Sequence, residues 1–161
     1  MNIDITSLKN HSERELVIHE TYHVSKEQLE NTELLDLKDV MVEGTLNLDV
    51  NQEYEMHVTV TGTMILPCAI TLKPVPYQFS IEVDGNVEEM LNEIDKNHEK
   101  IENTIDISPI IWENILMEIP LRVVSEELDD VSLEGDGWKL ITERETNLET
   151  NPELEKLKDL L

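Results

Sequence analysis

The chain has 161 residues, enough for one domain with its own core, and sets 36 Asp and Glu against 12 Lys and Arg for a formal net charge of −24. A surface of that sign repels phosphate backbones and anionic lipid and attracts basic partners, so neither direct nucleic-acid binding nor membrane binding is expected, although the charge serves solubility equally well. One cysteine excludes an intramolecular disulfide, and with neither a signal-type N-terminus nor a membrane-length apolar stretch, a cytoplasmic protein is expected.

Met1 to Asn10 alternates at Ile3 and Ile5, which suits a short strand. Glu15 to Val24 alternates again, at Leu16, Ile18, Thr21, Tyr22 and Val24. Ser25 and Gln28 have the spacing of a capping box, so a helix is expected over 25–35. From Val40 to Val83 the pattern has period two. Val40, Val42, Gly44, Leu46, Leu48 and Val50 alternate with Glu43, Thr45, Asn47 and Asp49. Tyr54, Met56, Val58, Val60, Met64, Leu66, Cys68, Ile70 and Leu72 alternate with mostly polar or small residues, and Tyr77, Phe79, Ile81 and Val83 make a further apolar face. Such a period buries one face and leaves the other wet. Joints near 51–53 and 73–76 are too short for crossovers, so 40–83 reads as an antiparallel meander. Gly62 suggests a bulge or sharp bend in it.

The polar stretch 84–104 holds Val87, Met90, Leu91 and Ile94 at helical spacing. Ser108-Pro109 reads as a helix start, with Ser as cap and Pro in the first turn. Ile107, Ile110, Ile111 and Ile115 then form one stripe, and Pro120 ends the helix. This helix is expected to pack across the meander. Residues 125–151 are acidic and poor in aliphatics, with a turn signal at Gly135-Asp136-Gly137 and a strand near Trp138–Ile141. Asn151-Pro152 opens a last short helix whose Leu154, Leu157, Leu160 and Leu161 need a surface to dock on, in their own domain or on a partner. The fold class is thus α+β: an antiparallel meander, open or curled toward a barrel, with one or two packed helices. One domain is expected over 1–124, including the 108–119 helix. Residues 125–161 are read as an acidic extension ending in a short helix and docked on that domain.

Chemical motifs are scarce. There is no phosphate-binding or dinucleotide glycine fingerprint and no HExxH. His19 and His23 would share a strand face, which leaves paired zinc ligation open beside a structural reading. Cys68 lies between Pro67 and Ala69 in a chain whose charge disfavours a thiolate, so a buried, inert thiol is expected. On that reading Cys68→Ser costs more than Cys68→Ala, because it buries an unpaired hydroxyl at about 1–3 kcal/mol. No catalytic residue, cofactor site or metal ligand stands out.

The segment VTVTGTMILPCAITLKPVPYQFSIEV resembles the central block of the YceD-like family, named for large ribosomal RNA subunit accumulation, in which a strand leads into a Cys-x-x-Cys turn. IDISPIIWENILMEIPL is similar to that family's second block and NPELEKLKDLL to its ending. The positions that carry the resemblance are Cys68, Thr71, Pro74, Asp106, Glu113, Pro120 and Pro152. Thr71 stands where the family has its second cysteine, and VSLEGDGW replaces a downstream stretch that carries cysteine in some members. A family-type zinc site is therefore not expected. The resemblance implies a cytoplasmic bacterial protein acting in large-subunit rRNA accumulation, its gene commonly beside one for a small basic large-subunit ribosomal protein. It supplies no mechanism.

The leading expectation is a non-enzymatic acidic protein that binds a basic partner, a large-subunit ribosomal protein being the first candidate. The contact surfaces would be the acidic segments 84–102 and 125–136, with Glu126, Glu127, Asp129 and Asp130, and the face around Trp112 and Glu113. Charge runs of this kind read equally as solvated faces, and Trp112 as core. The alternative is a hydrolase-like enzyme with an unrecognised site. A third reading is a scaffold acting through the C-terminal leucines.

Overall fold

The structure, a computed structural model, describes residues 1–95 and 103–125, together with the strand residues 134–135 and 138–139. The chain forms two compact units, Met1–Ser125 and Glu126–Leu161. In chain order the first contains β1 (Asn2–Asp4), α1 (Thr6–Lys9), β2 (Glu15–Thr21), α2 (Lys26–Glu30), β3 (Asp36–Leu48), β4 (Tyr54–Pro67), β5 (Pro74–Asn86), α3 (Val87–Ile94), β6 (Thr104–Asp106) and α4 (Ser108–Met117). In the second, β7 (Glu134–Gly135) pairs antiparallel with β8 (Trp138–Lys139). Residues 140–161, and with them the last helix and its docking, lie outside the described residues.

The α+β class holds, and the meander is its centre. β2, β3, β4 and β5 form one antiparallel sheet in chain order. Period two explains why. In register, Val42, Val60 and Ile81 make one row across the sheet, and Gly44, Val58 and Val83 the next. Val42, Val58, Val60 and Val83 are buried. The intervening rows, Glu43-Thr59-Glu82 and Thr45-His57-Asp84, present polar side chains to solvent. The sheet does not close into a barrel: β2 and β5 are its two edges. β1 and β6 pair separately, as a two-stranded antiparallel sheet.

The isoleucine stripe of α4 does what its spacing demands. Ile107, Ile110, Ile111 and Ile115 are fully buried, and α4 packs against β5 and α3. Each such side chain contributes about 1.5–3 kcal/mol on leaving water. α3 adds Val87 and Leu91 to the same core. Asn86 caps α3, its Oδ1 accepting from the Glu88 and Glu89 amides at 3.0 and 3.2 Å. In α2 the capping box is present. Ser25 Oγ accepts from the Gln28 amide at 3.3 Å and Gln28 Oε1 from the Ser25 amide at 3.0 Å. Gln28 Nε2 also donates to the Tyr22 hydroxyl at 3.0 Å, tying the short helix to a buried ring.

Several expectations are corrected. Gly62 makes no bulge; β4 runs through it in unbroken register with Phe79. Its missing side chain makes room, since a Cβ there would lie 3.0 Å from the Phe79 ring and from Val40 Cγ2. The register shift sits in β3 instead, between Lys38 and Met41, where Asp39 has φ +52°. Val50 is 98% exposed and Leu72 is 76% exposed, because both lie in turns after their strands have ended. α2 is shorter than the 25–35 span. Ser108 is already helical and does not cap α4; Asp106 Oδ1 accepts its amide at 3.0 Å. α1 and β6 are too short to leave a readable period.

Two substitutions test this packing. Ile111→Asp places a charge in a dry interface and should unfold or aggregate the protein; a soluble variant with an unchanged Tm would remove α4 from the core. Gly44→Ala puts a Cβ 2.1 Å from the His57 carbonyl oxygen. It should lower Tm sharply by forcing β3 from β4, whereas Gly62→Ala should cost less, since side-chain ends can give way.

Candidate functional site

β4 passes into β5 through residues 68–73, and this turn gathers three of the motif positions. Pro67 and Pro74 face each other at its mouth. Inside, the Cys68 amide donates to the Lys73 carbonyl at 2.8 Å, and the Leu72 amide to the Cys68 carbonyl at 2.9 Å. Leu72 takes φ +59°, which turns its side chain outward. The chain beyond α4 returns to clasp the turn: the Ala69 amide donates to the Val123 carbonyl at 2.9 Å. The Cys68 sulfur accepts from the backbone amides of Thr71 and Ser125, both at 3.5 Å.

This environment changes the reading of Cys68. The thiol is shut off from solvent, as expected, yet it stands outside the main apolar cluster. The Thr71 hydroxyl, then the Ser125, Thr71 and Ile70 amides, favour the thiolate and outweigh burial, drawing the pKa from 9.0 to about 6. The hydrogen bonds at the sulfur thus act against the effect expected of the chain's acidic charge. The expected order of the two substitutions reverses as well. A hydroxyl at position 68 meets ready donors, whereas alanine leaves two amides without their acceptor.

The other motif positions lie on separate elements. Asp106 ends β6 and accepts from the Met1 ammonium at 2.9 Å as well as from the Ser108 amide. Burial raises its pKa, but these bonds and the Ser108 hydroxyl outweigh it, so the carboxyl ionises below its ordinary range. Trp112 is half-buried and packs against the core, while Glu113 on the same helix is exposed. Pro120 is half-buried in the segment that leads to Val123. Pro152, Glu126, Glu127, Asp129 and Asp130 lie outside the described residues, as do 96–102. Val123 and Ser125 escape a sequence reading because they reach the turn through backbone atoms, which leave no side-chain signal.

α3 and α4 pack side by side, and neither contains Lys or Arg. Glu88, Glu89 and Glu93 on α3 and Glu113 on α4, with Glu118 at its end, are all exposed. On the wet face of the sheet His19 pairs with Glu43 at 2.8 Å and His57 with Asp84 at 2.9 Å. His23 lies beyond the end of β2, and no group of three or more His, Cys, Asp or Glu among the described residues could hold a metal ion. A tetrahedral zinc does not fit the 68–73 turn: Cys68 is the one cysteine of the chain, and its sulfur is already engaged by two amides. An open groove of about 700 Å³ is lined by Tyr22, His23, Lys26, Leu37, Lys38 and Asp39, among others. Among the described residues no hydrogen bond joins its His23 to a hydroxyl or carboxylate, and its Lys38 pairs with Asp36 at 3.9 Å.

Comparison with known proteins then decides the family. The model of the family described as "Large ribosomal RNA subunit accumulation protein YceD" matches residues 56–161. The chain belongs to the YceD family. It is 32% identical over 139 residues to the uncharacterised protein YlbN of Bacillus subtilis (strain 168), covering 81% of this chain and 79% of that protein. No solved structure matches it. The YceD match opens within β4 and takes in the Cys68 turn, α3 and α4. The β2–β3 hairpin and the β1 strand precede it.

Titration of the thiolate by ultraviolet absorbance, with Cys68→Ala as blank, should give a midpoint near pH 6; one near the ordinary 8.5 would mean the amides do not hold the sulfur. A folded pKa below the unfolded one stabilises the protein fully above about pH 9, and that contribution is lost as pH falls through about 6. The stability gap between wild type and Cys68→Ala should therefore widen with pH across this window. At neutral pH alanine should cost about 1–3 kcal/mol and serine less. Elemental analysis of untagged protein should find no zinc; a stoichiometric amount would contradict the donor set described.

Proposed function

We propose that this YceD-family protein is a non-enzymatic, cytoplasmic binding protein that assists large-subunit rRNA accumulation by holding a basic protein, a large-subunit ribosomal protein in the first instance. The observation that carries this reading is the net charge of −24 in a member of a family described by large ribosomal RNA subunit accumulation. A polyanion of this kind stands in for rRNA toward a partner rich in Lys and Arg, masking its charge until phosphates replace it. The exposed glutamates of α3 and α4 supply a surface for such contact, with no cation on either helix. They stand on helices whose apolar residues are packed in the core. No described helix is long and apolar enough to cross a membrane.

Charge sets the tests. A pulldown from bacterial lysate at low salt should retain a basic ribosomal protein that elutes as salt rises. Retention of no basic protein would overturn the proposal. The isolated chain should show no affinity for naked large-subunit rRNA fragments, because phosphate contacts need clustered cations and its 12 Lys and Arg are dispersed. Micromolar or tighter binding that weakens with salt would move the function to a basic surface and contradict this reading.

A further inference from the structure

The two edges of the sheet are finished differently. β5 opens on Pro74 and carries Pro76, which cannot donate from an edge, and α3 and α4 pack against this strand. β2 is 7 residues long, ELVIHET, with no proline, no lysine and no break in register from Glu15↔Asn47 to Thr21↔Met41. The Tyr22 amide extends that register by donating to the Val40 carbonyl at 2.9 Å. The Tyr22 N–H therefore faces β3. Direction alternates along a strand, so the backbone groups of Leu16, Ile18 and Glu20 also face β3, while those of Val17, His19 and Thr21 point outward. Among the described residues no strand pairs with these outward groups. Val17 stands beside them 75% exposed.

We propose that the outer edge of β2 is a strand-addition site for an extended cationic segment of a partner protein. This rests on the basic-partner reading and adds where and how such a partner engages. Charge selects the occupant. A second copy of this chain would bring another net −24 to an edge that already exposes Glu15 and Glu20. Edge strands are commonly guarded against pairing by lysine; acidic residues guard equally well against self while admitting Lys and Arg. Alternation defines the rest. On one face Glu15, Val17, His19 and Thr21 line the edge, with Glu43 one strand in and bound to His19. On the other face are Leu16, Ile18 and Glu20. A strand with basic residues on the first face and apolar ones on the second meets both. Main-chain hydrogen bonds supply the attachment and side chains the selection.

The test uses the full chain and a nine-residue peptide of alternating lysine and valine. The control replaces every valine by proline, which keeps the charge but imposes a three-fold helix that cannot pair as a strand. Binding should shift the amide resonances of Val17, His19 and Thr21, and the control should bind at least about tenfold more weakly. Val17→Pro, which removes one outward N–H, should abolish the difference between the peptides. Val17→Lys, which keeps the backbone and adds a like charge, should weaken the strand peptide in a folded protein. Equal binding of the two peptides, or no binding, overturns the edge site. Shifts confined to α3 and α4 also overturn it while leaving the basic-partner reading in place.

Discussion

The central constraint is that β4 must be paired along both sides while burying one face. Tyr54–Pro67 is the longest strand, hydrogen-bonded to β3 on one side and β5 on the other. Its Met56, Val58, Val60, Met64 and Leu66 are buried and set the floor of the core. Gly44 allows the backbone of β3 to come close to it, and Gly62 admits the Phe79 ring. The isoleucines of α4 and the apolar residues of α3 complete the core at the β5 side. The Cys68 turn exists because β4 must hand over to β5 with its two prolines at the mouth, and the strap at 123–125 then fastens the chain beyond α4 to that turn.

The polar consequences follow from the same pairing. One face of a twisted antiparallel sheet packed by two helices leaves the other face to water. Here that face carries Thr, His and carboxylate side chains in register. The helices turn their apolar stripes inward and so present glutamates outward. Among the described residues, the glutamates of α3 and α4 are thus exposed on helices whose apolar stripes are buried.

Much of the architecture was legible because it is periodic. Alternation from Val40 to Val83 marked the meander, and the spacing of Ile107, Ile110, Ile111 and Ile115 marked the face of α4. The Ser25–Gln28 spacing marked a cap. What periodicity could not reveal was where strands stop: Val50 and Leu72 continue the pattern in turns. Gly62 was misread because a glycine in a strand signals either a bend or a close neighbour, and only the Phe79 ring decides between them. β1 was glimpsed but its partner β6 was not, since three residues carry no period. At the Cys68 turn, residue identity placed the thiol in cover but said nothing of the amides that polarise it. Those donors are backbone atoms of Thr71 and of Ser125, 57 residues away. The YceD resemblance was legible from blocks around Cys68 and Ser108, whereas nothing local marked the bare edge of β2, which is a property of sheet order.

The account holds that acidic side chains on a rigid frame, rather than a catalytic group, do the work. The most direct measurement is the level of large-subunit rRNA in cells that carry only a variant with Glu89, Glu93, Glu113 and Glu118 all changed to Gln, set beside cells with the Cys68→Ser protein at equal abundance. All four glutamates are exposed, so the variant should fold with an unchanged Tm. The account predicts that it fails to sustain large-subunit rRNA while Cys68→Ser sustains it. Full function of the neutralised variant, with loss in Cys68→Ser, would contradict it and return attention to the thiol.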